Sequence, residues 1–188
     1  MKLTKEKCLP FILTALIILV DQSLKSFIAK NWPVNTLIKD VFNNDFLQIY
    51  HVRNKAIAFS LGSGIPDSVK PVLFVVLPLI VLCLLVWYYL GSDDFTCLQR
   101  WAVAGITGGG MGNIIDRIFR PDGVVDFISV KFFGLHNMRG PLAFLGWDRW
   151  PTFNIADSSV VVCCILLFVS IVFISQKAKG AGHNEQKG

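Results

Sequence analysis

Residues 71–90 contain no charged side chain. A run of that length matches the roughly 20 apolar residues a helix needs to cross the hydrocarbon core of a bilayer. Backbone in hydrocarbon must satisfy its own hydrogen bonds, so only helices and closed barrels span it. Three further stretches, at about 10–29, 101–119 and 158–175, predict helices of the same kind. Pro78 falls inside the charge-free run, which a membrane helix tolerates. Only 16% of the 188 residues are charged and 53% are hydrophobic, against about 25% charged in a soluble domain. The expected fold is mainly α: a polytopic membrane protein of four transmembrane helices in one membrane-embedded domain, residues 1–188.

The net charge of +5 gathers mostly at the two ends, with Lys2, Lys5 and Lys7 before the first span and Lys177, Lys179 and Lys187 after the last. Basic ends flanking apolar runs follow the positive-inside rule, and no nucleic acid is expected as a partner. With four spans both termini lie on one side, the cytoplasmic one, together with the link 91–100. Residues 30–70 and 120–157 then face outward, and 177–188 form a polar tail. The first span follows a short basic stretch, as a signal peptide does, but lacks a small-residue cleavage site and is expected to stay as an anchor. The five cysteines, Cys8, Cys83, Cys97, Cys163 and Cys164, show no metal-ligand spacing and no disulfide framework. No metal or cofactor is expected.

In the first outer segment, Phe46-Leu-Gln-Ile-Tyr-His-Val-Arg-Asn54 alternates in part between apolar and polar residues. It predicts one or two strands of a small sheet lying on the membrane. Gly62-Ser-Gly-Ile-Pro66 reads as a turn before an amphipathic approach to the second span. The second outer segment interleaves Phe127, Phe132, Phe133, Phe144, Trp147, Trp150 and Phe153 with Lys131, Arg139 and Arg149. That mixture suits the headgroup layer, and residues 131–150 are expected to rest on the outer leaflet. The third span carries glycines at 105, 108, 109, 110 and 112, which let a neighbouring backbone approach closely.

Two aspartates, Asp126 and Asp157, fall at the outer ends of spans. A carboxylate at the edge of hydrocarbon is costly, so it usually has a task. Two that meet can share one proton, one acting as base and the other as acid on a water molecule. Bland alternatives exist: Asp157 can be a helix N-cap, and Asp126 an ordinary loop residue. Asn54, Asn113 and Asn154, predicted at similar depth, can hydrogen-bond a peptide backbone. Asp21 and Lys25, four apart on the first span, can neutralise each other or shape a polar cavity near the site. Asp116 and Arg117 can form a structural lock, and the Arg117 fork also fits a lipid phosphate.

Other chemistries fit poorly. His51, His136 and His183 lie near no Gly-x-Ser-x-Gly elbow, and there is no His-Glu-x-x-His. Ser23 and Ser26 flank Lys25 without sharing its helix face well, which disfavours a Ser-Lys dyad. No Walker or Rossmann glycine pattern follows a predicted strand. A proton-coupled carrier would spread its acids through the depth of the spans, whereas here they cluster toward the outer ends. The Gly-x-Gly-Asp motif of other intramembrane aspartyl proteases is absent. A structural subunit of a larger complex would tolerate loss of either aspartate.

The ordered motifs Asp21-x-x-x-Lys25, Arg53-Asn54-x-x-x-Ala58-Phe59, Gly108-x-x-x-Gly112-Asn113-x-x-Asp116-Arg117, Val124-Val-Asp126-Phe127 and Phe153-Asn154-x-Ala156-Asp157 resemble those of the bacterial lipoprotein signal peptidase family, signal peptidase II. The resemblance covers about residues 10–175. It implies an inner-membrane aspartyl endopeptidase that cuts the signal peptide from diacylglyceryl-modified prolipoproteins, just before the lipidated cysteine. By the same resemblance Asp126 and Asp157 match the catalytic dyad. Asn54, Asn113, Arg117 and Asn154 match pocket residues, and Asp21, Lys25 and Asp116 match supporting positions. Implied too are four membrane helices, a small periplasmic β-cradle, a short amphipathic helix and no cofactor. The expected partners are the lipidated prolipoprotein and the phospholipid bilayer, with the enzyme a monomer. Two departures stand out: Asn54-Lys-Ala-Ile-Ala-Phe where the family has Asn-x-Gly-Ala-Ala-Phe, and an insertion expected around 132–149.

Overall fold

The computed structural model describes residues 4–55, 66, 68–131 and 149–185, with side chains of the last helix as far as Ile174. In chain order the elements are α1 Lys5–Cys8, α2 Phe11–Asn31, β1 Thr36–Asp40, β2 Leu47–Asn54, a π-helical turn Val72–Val76 continuing into α3 Leu77–Gly91, α4 Cys97–Phe119, β3 Val124–Val130 and α5 Ile155–Glu185.

Among the described residues, three helical stretches are long and apolar enough to cross a membrane: Lys5–Asn31, Val72–Gly91 and Ile155–Ile174. Their large apolar side chains point mostly outward: Leu19 is 63% exposed, Trp87 70% and Phe168 68%. The polar side chains of these helices turn inward, with Asp21, Lys25, Asp116 and Asn154 all at 0%. With hydrocarbon as solvent, apolar side chains can face out and polar ones must find partners inside.

α4 is the exception in composition and the centre of the packing. Thr96 and Gln99 start it with a capping box. It packs on α2, α3 and α5, burying Ala102, Val103, Ala104, Gly105, Gly108, Gly109 and Gly112 among others. Small residues permit this closeness. A Cβ at Gly112 would lie 2.9 Å from Asp21 Oδ2 and 3.1 Å from the Ala156 Cβ, tighter than ordinary contact. So the glycines serve packing, and at 112 they also leave room for a buried carboxylate.

Pro78 has no N–H to give the turn before it. The chain answers with the π turn at Val72–Val76, and the carbonyl of Phe74, four residues before Pro78, accepts from Arg117 Nη1 at 3.2 Å. Such substitution by a neighbouring helix is the general way membrane helices accommodate proline.

The three strands form one antiparallel sheet in the order β1-β2-β3. The sequence pattern predicts β2 and assigns no strand at 124–130; Asp126 lies on a strand, not in the loop offered as its bland alternative. Val124-Val-Asp-Phe-Ile-Ser-Val130 is β-branched and aromatic enough to be a strand; its central acid hid it. Val125 and Phe127 join Ile28 in a small apolar core, with Ala29 and Trp32 of the α2 end packed beside them. That contact docks the sheet on α2. At the far end, the turn between β1 and β2 holds Asn43 and Asp45 at positive φ, and Asp45 accepts from Lys131 (2.7 Å) and from Arg149. Lys131 first, then Arg149, holds this carboxyl below the usual range.

Helix limits differ from the sequence expectation at both ends of the chain. α5 begins at Ile155 rather than 158 and runs helically to Glu185, into the stretch expected as a polar tail. The expected turn at 62–66, Ala56, and the insertion around 132–149 lie almost wholly outside the described residues, as does most of the short amphipathic segment before 70.

Gly112→Val is expected to lower stability by about 1–3 kcal/mol through overpacking. The thermal midpoint of the detergent-solubilised protein checks this, with Gly91→Val, where a Cβ meets nothing within 4 Å, as the control.

Candidate active site

Asp126 sits in the middle of β3, paired across the sheet with Val52. Asp157 sits in the first turn of α5. Asn154 joins them. Its Nδ2 donates to Asp126 Oδ1 at 2.7 Å. Its Oδ1 accepts from the Asp157 N–H at 2.9 Å, and its own N–H donates to Asp157 Oδ2 at 3.1 Å. The last two bonds form a reciprocal capping box, with Asn154 as N-cap and Asp157 three residues on. Asp157 is therefore not the cap that a helix start at 158 would make it. The capping duty falls on Asn154, and Asp157 is inside the helix.

Each aspartate also receives a second amide. Asn54 Nδ2 donates to Asp126 Oδ2 at 3.0 Å, and Asn113 Nδ2 to Asp157 Oδ1 at 2.7 Å. Among the described residues, every oxygen of the pair thus accepts one hydrogen bond. Gly123 makes the Asn54 contact possible. It takes φ +100°, and a Cβ there would run into the Asn54 backbone, so only glycine brings the start of β3 this close.

Beneath this layer lies a buried ionic network. Lys25 Nζ donates to Asp21 Oδ2 (2.7 Å), Asn113 Oδ1 (2.9 Å) and Asp116 Oδ2 (3.2 Å). These are three acceptors for the three N–H bonds of an ammonium. Asp21 then accepts the backbone N–H of Ala156 at 3.0 Å, and Asp116 that of Val125 at 3.1 Å. Ala156 immediately precedes Asp157 and Val125 immediately precedes Asp126. One ammonium therefore fixes, through two carboxylates, the backbone on which each candidate residue rides. Gln22 Nε2 donates to Asp116 Oδ1 at 2.8 Å, and Arg120 bonds Asp116, Gln22 and Ser26.

The predicted site residues Asp21, Lys25, Asn54, Asn113, Asp116, Asp126, Asn154 and Asp157 thus fall in one hydrogen-bonded assembly. Arg117 stands at its edge, close enough to Asp157, Asp126 and Asp116 for its charge to act on each. The Asp116–Arg117 lock does not form: Asp116 pairs with Lys25 and Arg120, while Arg117 turns to the Phe74 carbonyl and lies over the Phe74 ring, 5.3 Å from its centroid. The Asp21–Lys25 pair expected from i,i+4 spacing does form, and it also supports the site. Gln22 and Arg120 are participants that sequence reasoning missed. Arg120 is four residues after Asp116, the spacing that puts both on one helix face, so the signal was present.

Burial pushes the Asp126 carboxyl up to about 7, and the charge of Asp157 adds to the rise; the amides of Asn54 and Asn154 and the charge of Lys25 oppose it. Near neutral pH the Asp126 carboxyl is then partly protonated, so it has a proton to give.

Residues 13–173 match the family described as Signal peptidase (SPase) II. The lipoprotein signal peptidase of Treponema denticola is 45% identical over 175 residues, covering 93% of this chain and 95% of that protein. The lipoprotein signal peptidase of Treponema pallidum is 42% identical, covering 92% and 89%. A bacterial membrane enzyme solved by the in meso method at 2.3 Å superposes with a TM-score of 0.73 at 26% identity, covering 89% of this chain and 90% of that one. The chain belongs to the signal peptidase II family. It is a multi-pass membrane peptidase, and the polar assembly at the ends of α2, α4 and α5 is the candidate site for a signal peptidase II reaction.

Lys25→Met leaves Asp21 buried without its cation and Asp116 with Arg120 alone, and should cost about 3–5 kcal/mol, read as a fall in thermal midpoint. Because folding raises the Asp126 value, the native state binds more protons than the unfolded chain between about pH 4 and about pH 7. Stability should fall as pH rises through that window. The pH dependence of the midpoint should flatten there in Asp126→Asn.

Proposed function

We propose that this signal peptidase II is an aspartyl endopeptidase in which Asp126 and Asp157 activate one water between them. The single observation that carries the reading is the Asn154 bridge, bonded at once to the Asp126 carboxylate and to Asp157. A bridge of that kind holds two acids together and leaves lone pairs on both. The substrate is a prolipoprotein whose cysteine bears a diacylglyceryl group, and the cut falls just before that cysteine.

Burial favours the proton on Asp126, so Asp126 begins as the acid and Asp157 as the base. Asp157 takes a proton from the water as its oxygen attacks the scissile carbonyl. Asp126 donates to the developing oxyanion; as the carbon–nitrogen bond breaks, Asp157 passes the proton it took from water to the leaving amine, and the re-forming carboxyl group returns a proton to Asp126. The pair titrates as a unit. Asn54 and Asn113 keep each carboxylate oriented while the proton moves. Arg117, at the rim, meets the substrate chain.

The bilayer supplies the encounter. Two acyl chains partition into lipid at roughly 0.8 kcal/mol per buried methylene, so substrate arrives by lateral diffusion at headgroup depth. α4, enclosed by the three apolar helical stretches, serves as the fourth span. With four spans in a single domain, the basic ends keep both termini cytoplasmic and the site on the outer face of the inner membrane. The enzyme works as a monomer.

Incubation of the purified protein with a diacylated prolipoprotein and with its unlipidated counterpart tests the reading; only the first should be cleaved. Asp126→Asn and Asp157→Asn should each abolish cleavage while keeping the fold. Near-wild-type turnover in either would remove the dyad. Asn113→Ala and Arg117→Ala should slow cleavage without stopping it. Activity should decline as pH rises past about 7, where Asp126 loses its proton.

A further inference from the structure

A groove opens at the end of the helices away from the dyad. α3 and α5 both pack on α4, and where α4 begins they leave a space of about 450 Å³ between them. That volume lies in the range of small-molecule sites. The walls are apolar, with Leu85 on α3 and Leu167, Ile171 and Ile174 on α5. Toward the α3–α4 link the lining turns polar, with Ser92, Asp94 and Gln99. Gln99 and Asn113 share α4, so at a rise of about 1.5 Å per residue the groove lies about 20 Å along the helix from the dyad.

Gln99 is the telling residue. It is only 7% exposed, yet half of its amide is unused. Its Oε1 accepts the Thr96 N–H at 3.0 Å and completes the capping box at the start of α4. That bond fixes which way the amide points. Its Nε2 has no hydrogen-bond partner among the described residues, and the side chain lines the groove. A buried donor without an acceptor is costly, so an oxygen belongs opposite it.

Asp94 is the second unanswered group. Its carboxylate accepts from Ser92 Oγ at 3.3 Å, and no cation pairs with it among the described residues. The cations nearby are engaged elsewhere. Lys7 pairs with the adjacent Asp93 at 2.7 Å and donates to the Leu90 carbonyl. Arg100 donates to the Phe95 carbonyl and lies 3.9 Å from Glu6.

The depth of the groove is marked by its surroundings. Trp87, Tyr88 and Trp101 are exposed at this end of α3 and α4, and such aromatic side chains sit at headgroup level. The Lys7–Asp93 pair marks the polar side, while Ile171 and Ile174 face outward as apolar surface. An occupant therefore needs three things: a cation for Asp94, an oxygen for Gln99 Nε2 and an apolar chain for the α3 and α5 walls. A phospholipid with a primary ammonium has all three. Its ammonium can donate a charge-assisted hydrogen bond to the carboxylate, and its phosphate or ester oxygens can accept from the amide. A quaternary ammonium has no N–H to donate, and a glycerol headgroup carries no cation.

We propose that this groove binds an ethanolamine phospholipid, in the cytoplasmic leaflet on the orientation proposed above. The site shares no residue with the assembly around Asp126 and Asp157. Binding is read without cleavage, so its failure leaves the peptidase reading standing, and the reverse also holds.

The test uses the full chain in neutral maltoside micelles, titrated with phosphatidylethanolamine, phosphatidylcholine or phosphatidylglycerol. Native mass spectrometry counts bound lipid, and the thermal midpoint follows occupancy. One phosphatidylethanolamine should bind per chain and raise the midpoint, with the other two lipids weaker. Gln99→Glu keeps the oxygen that caps α4 and replaces the donor in the groove with a second oxygen. It should weaken phosphatidylethanolamine about 10-fold and leave the lipid-free midpoint near that of wild type. Asp94→Asn should weaken it about 3-fold and remove most of its advantage over phosphatidylcholine. Asp122→Asn, an exposed aspartate beyond the other end of α4, should bind as wild type. Equal binding of the three lipids, no retained phosphatidylethanolamine, or undiminished affinity in Gln99→Glu would each overturn the proposal. So would a dimer that persists when lipid is added, which would give the groove to a second copy of the chain.

Discussion

The Lys25 ammonium is the interaction on which the polar half of this protein depends. Taking a charge out of water costs several kcal/mol even after relaxation, and Lys25 is wholly buried. It persists because three acceptors converge on it, two of them ionised. Those carboxylates have oxygens left over, and they spend them on the N–H groups of Ala156 and Val125. The charge therefore does more than neutralise its partners. It ties α2, α4, β3 and the start of α5 into one geometry, each candidate aspartate being one residue from a clamped amide.

Helix packing makes room for that network. Glycine at 112 leaves the space that Asp21 Oδ2 and Ala156 occupy. Glycine at 123 lets β3 begin against Asn54. In hydrocarbon no hydrophobic force draws helices together, so close backbones and buried polar bonds do that work. Here the same contacts that assemble the helices also aim the aspartates. Arg117 shows the same economy: it supplies the donor that Pro78 cannot, and in doing so stands at the rim of the site.

Much of this was legible in the chain. Apolar run length marked three helices to within a few residues, and the spacing of Asp21 and Lys25 announced their ion pair. The acids at 126 and 157 were conspicuous because charge at a membrane edge is costly. Other features were hidden. β3 is buried along most of its length and carries an acid at its centre, so period-two alternation was weak evidence. The N-cap of α5 could be read as Asp157 because aspartate and asparagine are both good caps, and local sequence does not say which one the chain uses. Arg117 and Arg120 are equally cationic; only their positions around α4, one facing Phe74 and the other facing α2, separate a rim residue from a member of the buried network.

What the sequence alone determined is the solvent and the inventory. Apolar length places helices in a bilayer, and the few polar residues left inside them must then find one another, because hydrocarbon offers no other partner. What only tertiary structure decided is the pairing. Asn154 bridging two acids 31 positions apart and Lys25 balancing Asp116 as well as Asp21 are long-range choices. They depend on how closely α2, α4 and α5 approach and on the rotation of each helix about its axis, quantities that no local pattern encodes.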